Sequence, residues 1–589
     1  EKAITLWKAG LLTSPTTHAA NIFGNTTMAV LETAKDIPAT ALDMVIGLAT
    51  GKRTTTISPA SIMAKIKGGG QGVKSGAKFL TTGVYDASLL QKYDISREIT
   101  FKNKLLDAYQ KAVFRSLGAE DAVFRQAAMG ESLSKQAIIT AKNEGLKGVA
   151  AKARTRSLMT TPTDEMVVQA IADAEYATFT RDNILSDIVA GGKRAATSKG
   201  AIGEIGSAAV DVIAPFVRTP SNVALTIADY TPLGFIKAVA KQAIKSTRGQ
   251  RELVNDLARA GTGTGIMGLG AYLAHQGLLT GAMPETPAER AMWEAEGKQP
   301  YSVTYRGEWH NLNRISPFGN LVGLGADYYG LQKEKSGLAL ALATTGKGAK
   351  ALTEQTFLKG LSGGIKALTE PERSAEKFVE QTVASVIPSL IGRIANTIDT
   401  AQRKPTGIGE SVLARVPFAK SVLPKRRDIF GKEVVIKGGK ATIFDPFART
   451  KAKEHPVLAE ANRLKTTISL PGETMRRVKL TADEYDTYQS LSGPMVEDAL
   501  SQLVKAEEYK KLPDDEKLKL FEKTERNAKD TARDLIFPAL MIRRYGLDED
   551  TDPDLLNDII SELTKHDKFN NASPEKQAQS IKDTIKANE

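Results

Sequence analysis

The chain has 589 residues, 41% hydrophobic but only 6% aromatic, with a net charge of +12 and a pI near 9.3. It contains no cysteine, which excludes disulfides, thiolate metal sites and cysteine nucleophiles. None of its histidines (His18, His275, His310, His455, His566) forms a pair at metal-ligand spacing, and the basic excess favours an anionic partner, nucleic acid or membrane surface, over the plainer reading of solubility alone.

In chain order, the run after Lys2, Trp7 and Lys8 is too polar for a signal peptide. Ser14 followed by Pro15 predicts a helix start, with a cap and a proline at the first helical position. Residues Ala9 to Leu31 are uncharged but rich in Thr and Asn, which suits a polar packing helix better than a membrane span. A second helix is predicted from Pro38 to Thr50, ending at Gly51. Gly68 to Ser75 has a faint likeness to a phosphate loop but lacks the glycine that must immediately precede the lysine, so a flexible basic linker is predicted. From Asn103 to Gly148 apolar residues recur at helical spacing, including Leu106, Tyr109, Val113 and Phe114, with Gly118 expected to divide two helices.

A basic run follows. Lys142, Lys147, Lys152, Arg154 and Arg156, with Lys193, Arg194 and Lys199, are candidate contacts to the phosphates of double-stranded DNA. No aromatic side chains interleave, so base stacking is not indicated, and a solvated helix face is the competing reading. Pro215, Pro220 and Pro232 break the next region into short helices.

Gly261 to Pro284 carries no Asp, Glu, Lys or Arg and includes seven glycines. As one helix it would be about 36 Å long, enough for a hydrocarbon core of about 30 Å. Gly261/Gly265, Gly270/Ala274 and Gly277/Gly281 have small-xxx-small spacing. Ile266, Leu269, Leu273 and Leu278 supply the apolar surface, and His275, Gln276 and several threonines are its polar exceptions. The first reading is a buried packing helix or subunit contact; the second is a conditional membrane segment. Arg248, Arg251 and Arg259 before it and Glu285 and Glu289 after it would then place its N-terminal side in the cytoplasm.

The pattern next changes to alternation. Tyr301, Val303 and Tyr305, then Trp309, Asn311 and Asn313, flank Arg306-Gly307-Glu308 and predict a β-hairpin. A small-residue helix follows from Asn320 to Gly330, then weakly amphipathic helix from Gly337 to Gly364. A further helix is predicted from Glu372 to Thr400 with a kink at Pro388, and a linker from Arg403 to Glu410. Beyond it, short strands are expected around Gly438-Gly439, and Lys425, Arg426 and Arg427 form a second candidate phosphate cluster. Thr481 and Glu484 predict a capping box. Acids after Pro513 open another helix, and the charged helices from Pro494 onward read as a solvated or loosely packed tail.

The expected fold is mainly α: an elongated multi-helix assembly with one short β-hairpin near 300–315 and a partly irregular C-terminal third. Its expected divisions are N-terminal helices and a glycine-rich linker (1–100), a helical domain (101–250), the glycine-rich apolar segment with the hairpin (251–345), further helices (346–410), mixed coil and short strands (411–495) and a charged helical tail (496–589). No hydrolase elbow, zinc-protease helix or intact phosphate loop is present. No catalytic residue, metal ligand or cofactor is therefore expected, and the chain reads as non-enzymatic.

Several stretches carry a likeness as text: Trp7 through His18; Arg115 through Asp121 with Phe124-Arg125; Pro215 through Pro220; Gln299 through Asp327; and Pro424 through Gly431. In these pieces, in order over roughly residues 5–495, the chain resembles the internal virion proteins of tailed bacteriophages, the ejection or internal core proteins of large polyvalent type. The resemblance implies storage inside the capsid near the portal and release with or before the genome. It also implies help in forming a conduit for DNA across the host envelope, at the periplasm and inner membrane. The implied partners are further copies of the chain, other ejection proteins, portal or tail, the DNA backbone and the host inner membrane. The alternatives are an internal DNA-binding or packaging protein lining the genome, and a colicin-like membrane-active helical protein.

Overall fold

A computed structural model describes residues 2–84, 100–183, 218–244, 249–313, 315–332, 387–405, 407–436 and 447–588. After α1 (Lys2–Leu12), Ser14 and Pro15 open α2 (Pro15–Thr50), which runs for 36 residues until Gly51 turns left-handed at φ 71°. The predicted start at Pro38 is corrected: Pro38 lies inside α2. A proline removes one backbone bond, and the buried turn around it (Lys35, Asp36, Ala39, Thr40) keeps the helix in place.

The predicted linker at Gly68–Ser75 is also corrected, because it forms the middle of α3 (Pro59–Thr82), which a Ser58/Ser61 capping box starts. Gly68, Gly72 and Gly76 make a seam at four-residue spacing against α4 (Lys104–Asn143). A Cβ at these positions would meet the carbonyls of Gln126, Ala122 and Ala119 at 2.3, 2.5 and 2.6 Å. Backbone approach recovers what glycine loses in helix propensity. The expected break at Gly118 does not occur: α4 runs unbroken for 40 residues, with Gly118 buried.

Next come α5 (Gly148–Thr160), α6 (Asp164–Ala177), α7 (Arg218–Asp229), α8 (Pro232–Ile244) and α9 (Gln250–His275). One unbroken helix over Gly261–Pro284, the arrangement long enough to span, does not form. α9 ends at His275, Gly277 adopts φ 71°, and the chain beyond is extended enough for Leu279 to bridge Val303. After α10 (Pro287–Ala295), the hairpin of β1 (Ser302–Tyr305) and β2 (Glu308–Asn311) forms as predicted. Arg306 and Gly307 at φ 51° and 75° make its two-residue turn. A third strand, β3 (Thr450–Lys451), joins β2 from far along the chain. Tyr301 packs on Gly323 of α11 (Phe318–Leu331), and its hydroxyl donates to Asp327 Oδ2 at 3.0 Å.

α12 (Ser389–Ile398) has Pro388 at its N-cap, the part of the predicted helix Glu372–Thr400 before residue 387 lying outside the described residues, and α13 (Ile408–Leu413) begins inside the predicted linker and runs beyond it. α14 (Pro456–Arg463) and the β4 (Thr474–Met475)/β5 (Val478–Lys479) ladder lead to α15 (Ala482–Lys505), with the predicted Thr481/Glu484 capping box. α16 (Glu507–Lys511), α17 (Asp514–Tyr545), α18 (Pro553–Leu563), α19 (Asp567–Asn570) and α20 (Pro574–Asn588) complete the chain. The reading of this end as a loosely packed tail is overturned: Phe521, Phe537, Met541, Leu556, Ile560 and Ile581 are fully buried. On α17 Phe521 and Ala528 enter one apolar core and Ala532, Phe537 and Met541 enter a second, while most of the helix's numerous charges face outward. The predicted helix Gly337–Gly364, the strands at Gly438-Gly439 and Lys193, Arg194 and Lys199 lie outside the described residues.

Candidate functional site

The helices α2, α3, α4, α6 and α9 surround an ionic centre instead of an apolar one. α2 supplies Glu32, Lys35 and Asp36 within one turn, α4 supplies Glu131 and Lys135 four residues apart, and α9 supplies Arg251, Asn255 and Arg259 at four-residue steps. Helical periodicity places each set on one face. Arg259 grips Glu32 with two bonds of 2.8 and 3.0 Å, and Tyr230 donates to the same carboxylate at 2.8 Å. Lys35 bridges Glu32 (3.1 Å), Asp36 (3.0 Å) and the Asn255 amide oxygen (2.9 Å). Lys135 pairs with Asp36 and with Glu131 (3.1 Å), which also takes Lys65 of α3 at 2.8 Å. Arg251 closes the ring on Asp173 of α6, which accepts a second bond from Ser132.

Burial raises the Glu32 carboxyl, but the charges of Arg259 and Lys35 outweigh it and hold Glu32 well below the usual carboxylate range. Burial opposed by Arg251 leaves Asp173 lowered likewise. Burial depresses Lys135, yet Asp36 and Glu131 bring it above its ordinary value. Desolvation, with Glu32 beside it, pushes the Tyr230 hydroxyl well up. The partly open cavity between these side chains is about 40 Å³, room for about three water molecules, far below the ~300 Å³ at which small-molecule sites begin. Its carboxylates are all ion-paired with lysine or arginine. Among the described residues no group of His, Asp and Glu is arranged to hold a metal ion.

The outer side of α2 is apolar. The four ionised residues of α2 (Glu32, Lys35, Asp36, Asp43) face inward, while Val30, Ile37, Val45 and Leu48 are 62, 63, 68 and 90% exposed. Polarity is thus reversed relative to an ordinary water-facing helix.

The sequence-predicted residues are dispersed. Gly270 is a close-packing position: a Cβ there would lie 2.0 Å from the Val322 carbonyl, and Gly325 of α11 faces the Met267 carbonyl at the same distance. Gly261 and Gly265 are not at the seam, which runs instead through Gly263, 1.7 Å from the Tyr230 carbonyl by the same measure. Ile266 and Leu273 pack inward, Leu269 and Leu278 are exposed, His275 Nδ1 lies 3.0 Å from the Tyr329 hydroxyl, and Gly281 sits against Asp327. No single described helix is long and apolar enough to cross a membrane. One pair, α7 with α8 bent by 90°, meets that test on length and composition together.

Lys142, Lys147, Lys152 and Arg156 are exposed at the end of α4 and along α5, whereas Arg154 is held by Glu144 through a bidentate pair. Lys425, Arg426 and Arg427 are engaged by Glu433, Glu294 and Asp486 respectively. Sequence reasoning passed over the ionic centre itself. Its signal was present in α2, where Asn25, Glu32, Asp36 and Asp43 recur at helical spacing on one side. No protein family, curated protein or solved structure matches the chain.

Proposed function

We propose that the chain is a structural, non-enzymatic virion protein of a tailed phage, stored as an oligomer inside the capsid near the portal. It leaves with or before the genome and helps to form a conduit for DNA across the host envelope. The observation that carries this reading is the reversed polarity of α2, whose four ionised residues are turned inward and paired while a long apolar row faces outward. A surface of that kind belongs to a protein that is covered in its working state, by neighbouring copies or by lipid. Imaging the assembled protein tests it: a ring or tube about an axis is expected, and a persistent monomer in virions and after release overturns it.

The second reading, an internal protein that lines or condenses the genome, draws on α5, where Lys152, Arg154 and Arg156 occur without any acid. For either role duplex binding is expected to be independent of sequence and to weaken steeply with salt. Affinity measured at two ionic strengths checks this, and salt-insensitive or sequence-confined binding contradicts it.

A further inference from the structure

α3 has three distinct sides. Gly68, Gly72 and Gly76 press on α4. About 100° round the helix, Ile62, Ile66, Val73 and Leu80 form a continuous row whose members are 39, 63, 58 and 46% exposed. About 125° further round, Lys67, Lys74 and Lys78 form a second exposed row, with no carboxylate partner among the described residues. The helix contains no Asp or Glu at all. We infer that α3 docks the protein flat on an anionic lipid surface, with the Ile62–Leu80 row entering the headgroup boundary and the lysine row contacting lipid phosphates.

Charge decides between the possible occupants. A second copy meeting α3 through the same face would bring like-charged lysine rows together, which is unfavourable. An anionic bilayer instead supplies the missing negative charge and the apolar depth that an amphipathic basic helix takes up. The glycine seam leaves the helix fixed to α4 while its other two sides remain outward. This contact differs from a spanning segment and does not depend on Gly261–Pro284. It also stands without the virion reading, since a purified chain shows it or does not.

The test is flotation of the full chain with vesicles of phosphatidylglycerol and phosphatidylethanolamine, against neutral phosphatidylcholine. Binding is expected to the anionic vesicles only, weakened by salt. Ile66→Asp with Val73→Asp is expected to abolish it. Replacing Lys67, Lys74 and Lys78 by Gln is expected to weaken it on the order of a hundredfold, at about fivefold for each lysine. Both sets of side chains are exposed, and an unchanged circular dichroism melt separates lost docking from lost folding. Failure of the native chain to float, or flotation unchanged in both variants, overturns the inference. A native chain that dimerises through this row and ignores vesicles overturns it in favour of a protein interface.

Discussion

In α2 the charged residues Glu32, Lys35, Asp36 and Asp43 point inward and Val30, Ile37 and Leu48 point out. In α17 the arrangement is opposite: Phe521, Phe537 and Met541 are fully buried and the charged side chains are mostly outside. The two regions are held by different physics. The C-terminal block gains from apolar area removed from water, a non-directional contribution of about 25 cal/mol per Å². The N-terminal bundle gains from close backbone seams and from a charge network in which each ion needs its partner, because an unpaired buried charge is costly. The first tolerates approximate packing; the second fixes register and admits little substitution.

The largest effect is therefore expected at the seams. Gly263→Ala and Gly270→Ala drive a Cβ into the Tyr230 and Val322 carbonyls, which are backbone and cannot swing aside. Each is expected to cost about 3 kcal/mol or more in denaturant melts. Gly265→Ala, four residues from neither seam partner and with nothing within 4 Å, is expected to stabilise α9 by about 1 kcal/mol. Equal outcomes at Gly265 and Gly270 would remove the seam from the account.

Next comes the charge network. Arg259→Met removes the two-bond partner of Glu32 and leaves Lys35 alone to offset its buried charge, which is expected to cost about 3 kcal/mol, a loss similar to Phe521→Ala in the C-terminal core at about 3–5 kcal/mol. The regions separate in the double variant. Adding Glu32→Gln to Arg259→Met removes that charge while keeping an acceptor for Tyr230, and recovery of more than half the loss is expected. No second substitution of polarity rescues Phe521→Ala. Equilibrium unfolding of the single and double variants decides the point.

These residues also show what could be read from the sequence. The capping box at Thr481, the helix start at Ser14-Pro15 and the hairpin turn at Arg306-Gly307 are local, set by a few adjacent residues, and all were legible. Gly68–Ser75 was misread because glycine propensity is a local cost, while the compensating contact comes from α4, some fifty residues later. The tail was misread for a related reason: abundant charge masks two short apolar runs, Phe521 with Ala528 and Phe537 with Met541, that enter different cores. The ionic centre joins positions 32, 131, 173 and 259, and only tertiary structure brings those together.

The pH dependence follows from the same network. Glu32 and Asp173 have carboxyl pKa values lowered by burial being outweighed by arginine and lysine charge. A lowered folded value means their stabilisation is present above the unfolded carboxylate range, about pH 4, and is lost as pH falls through the lower folded values. The raised Lys135 contributes below the usual lysine value and its contribution disappears only as pH rises above it. Acid is thus expected to open α2, α4 and α9 before the two C-terminal cores, around Phe521 and around Ile560. Hydrogen exchange followed by mass spectrometry along a falling pH series checks this order; simultaneous opening contradicts it.

The smallest effect is expected on the outer row of α2. Ile37 is 63% exposed and its replacement by Gln removes little buried area, so the stability of the isolated protein should change by no more than about 0.5 kcal/mol. The same change at Ile560, which is fully buried, places an unpaired amide in the C-terminal core and is expected to cost several-fold more. The comparison tests reversed polarity directly, since a conventional helix would give the larger loss at its isoleucines whichever region they came from. Mass measurement in solution extends it. If Ile37→Gln lowers the molecular mass of the purified protein while leaving each chain folded, the row is already covered by another copy, and the exposed side of α2 is an assembly contact. If it destabilises the monomer itself by more than about 1 kcal/mol, Ile37 is buried in solution and the inward placement of Glu32 and Asp36 cannot hold, because the two sets of side chains lie on different faces of one helix.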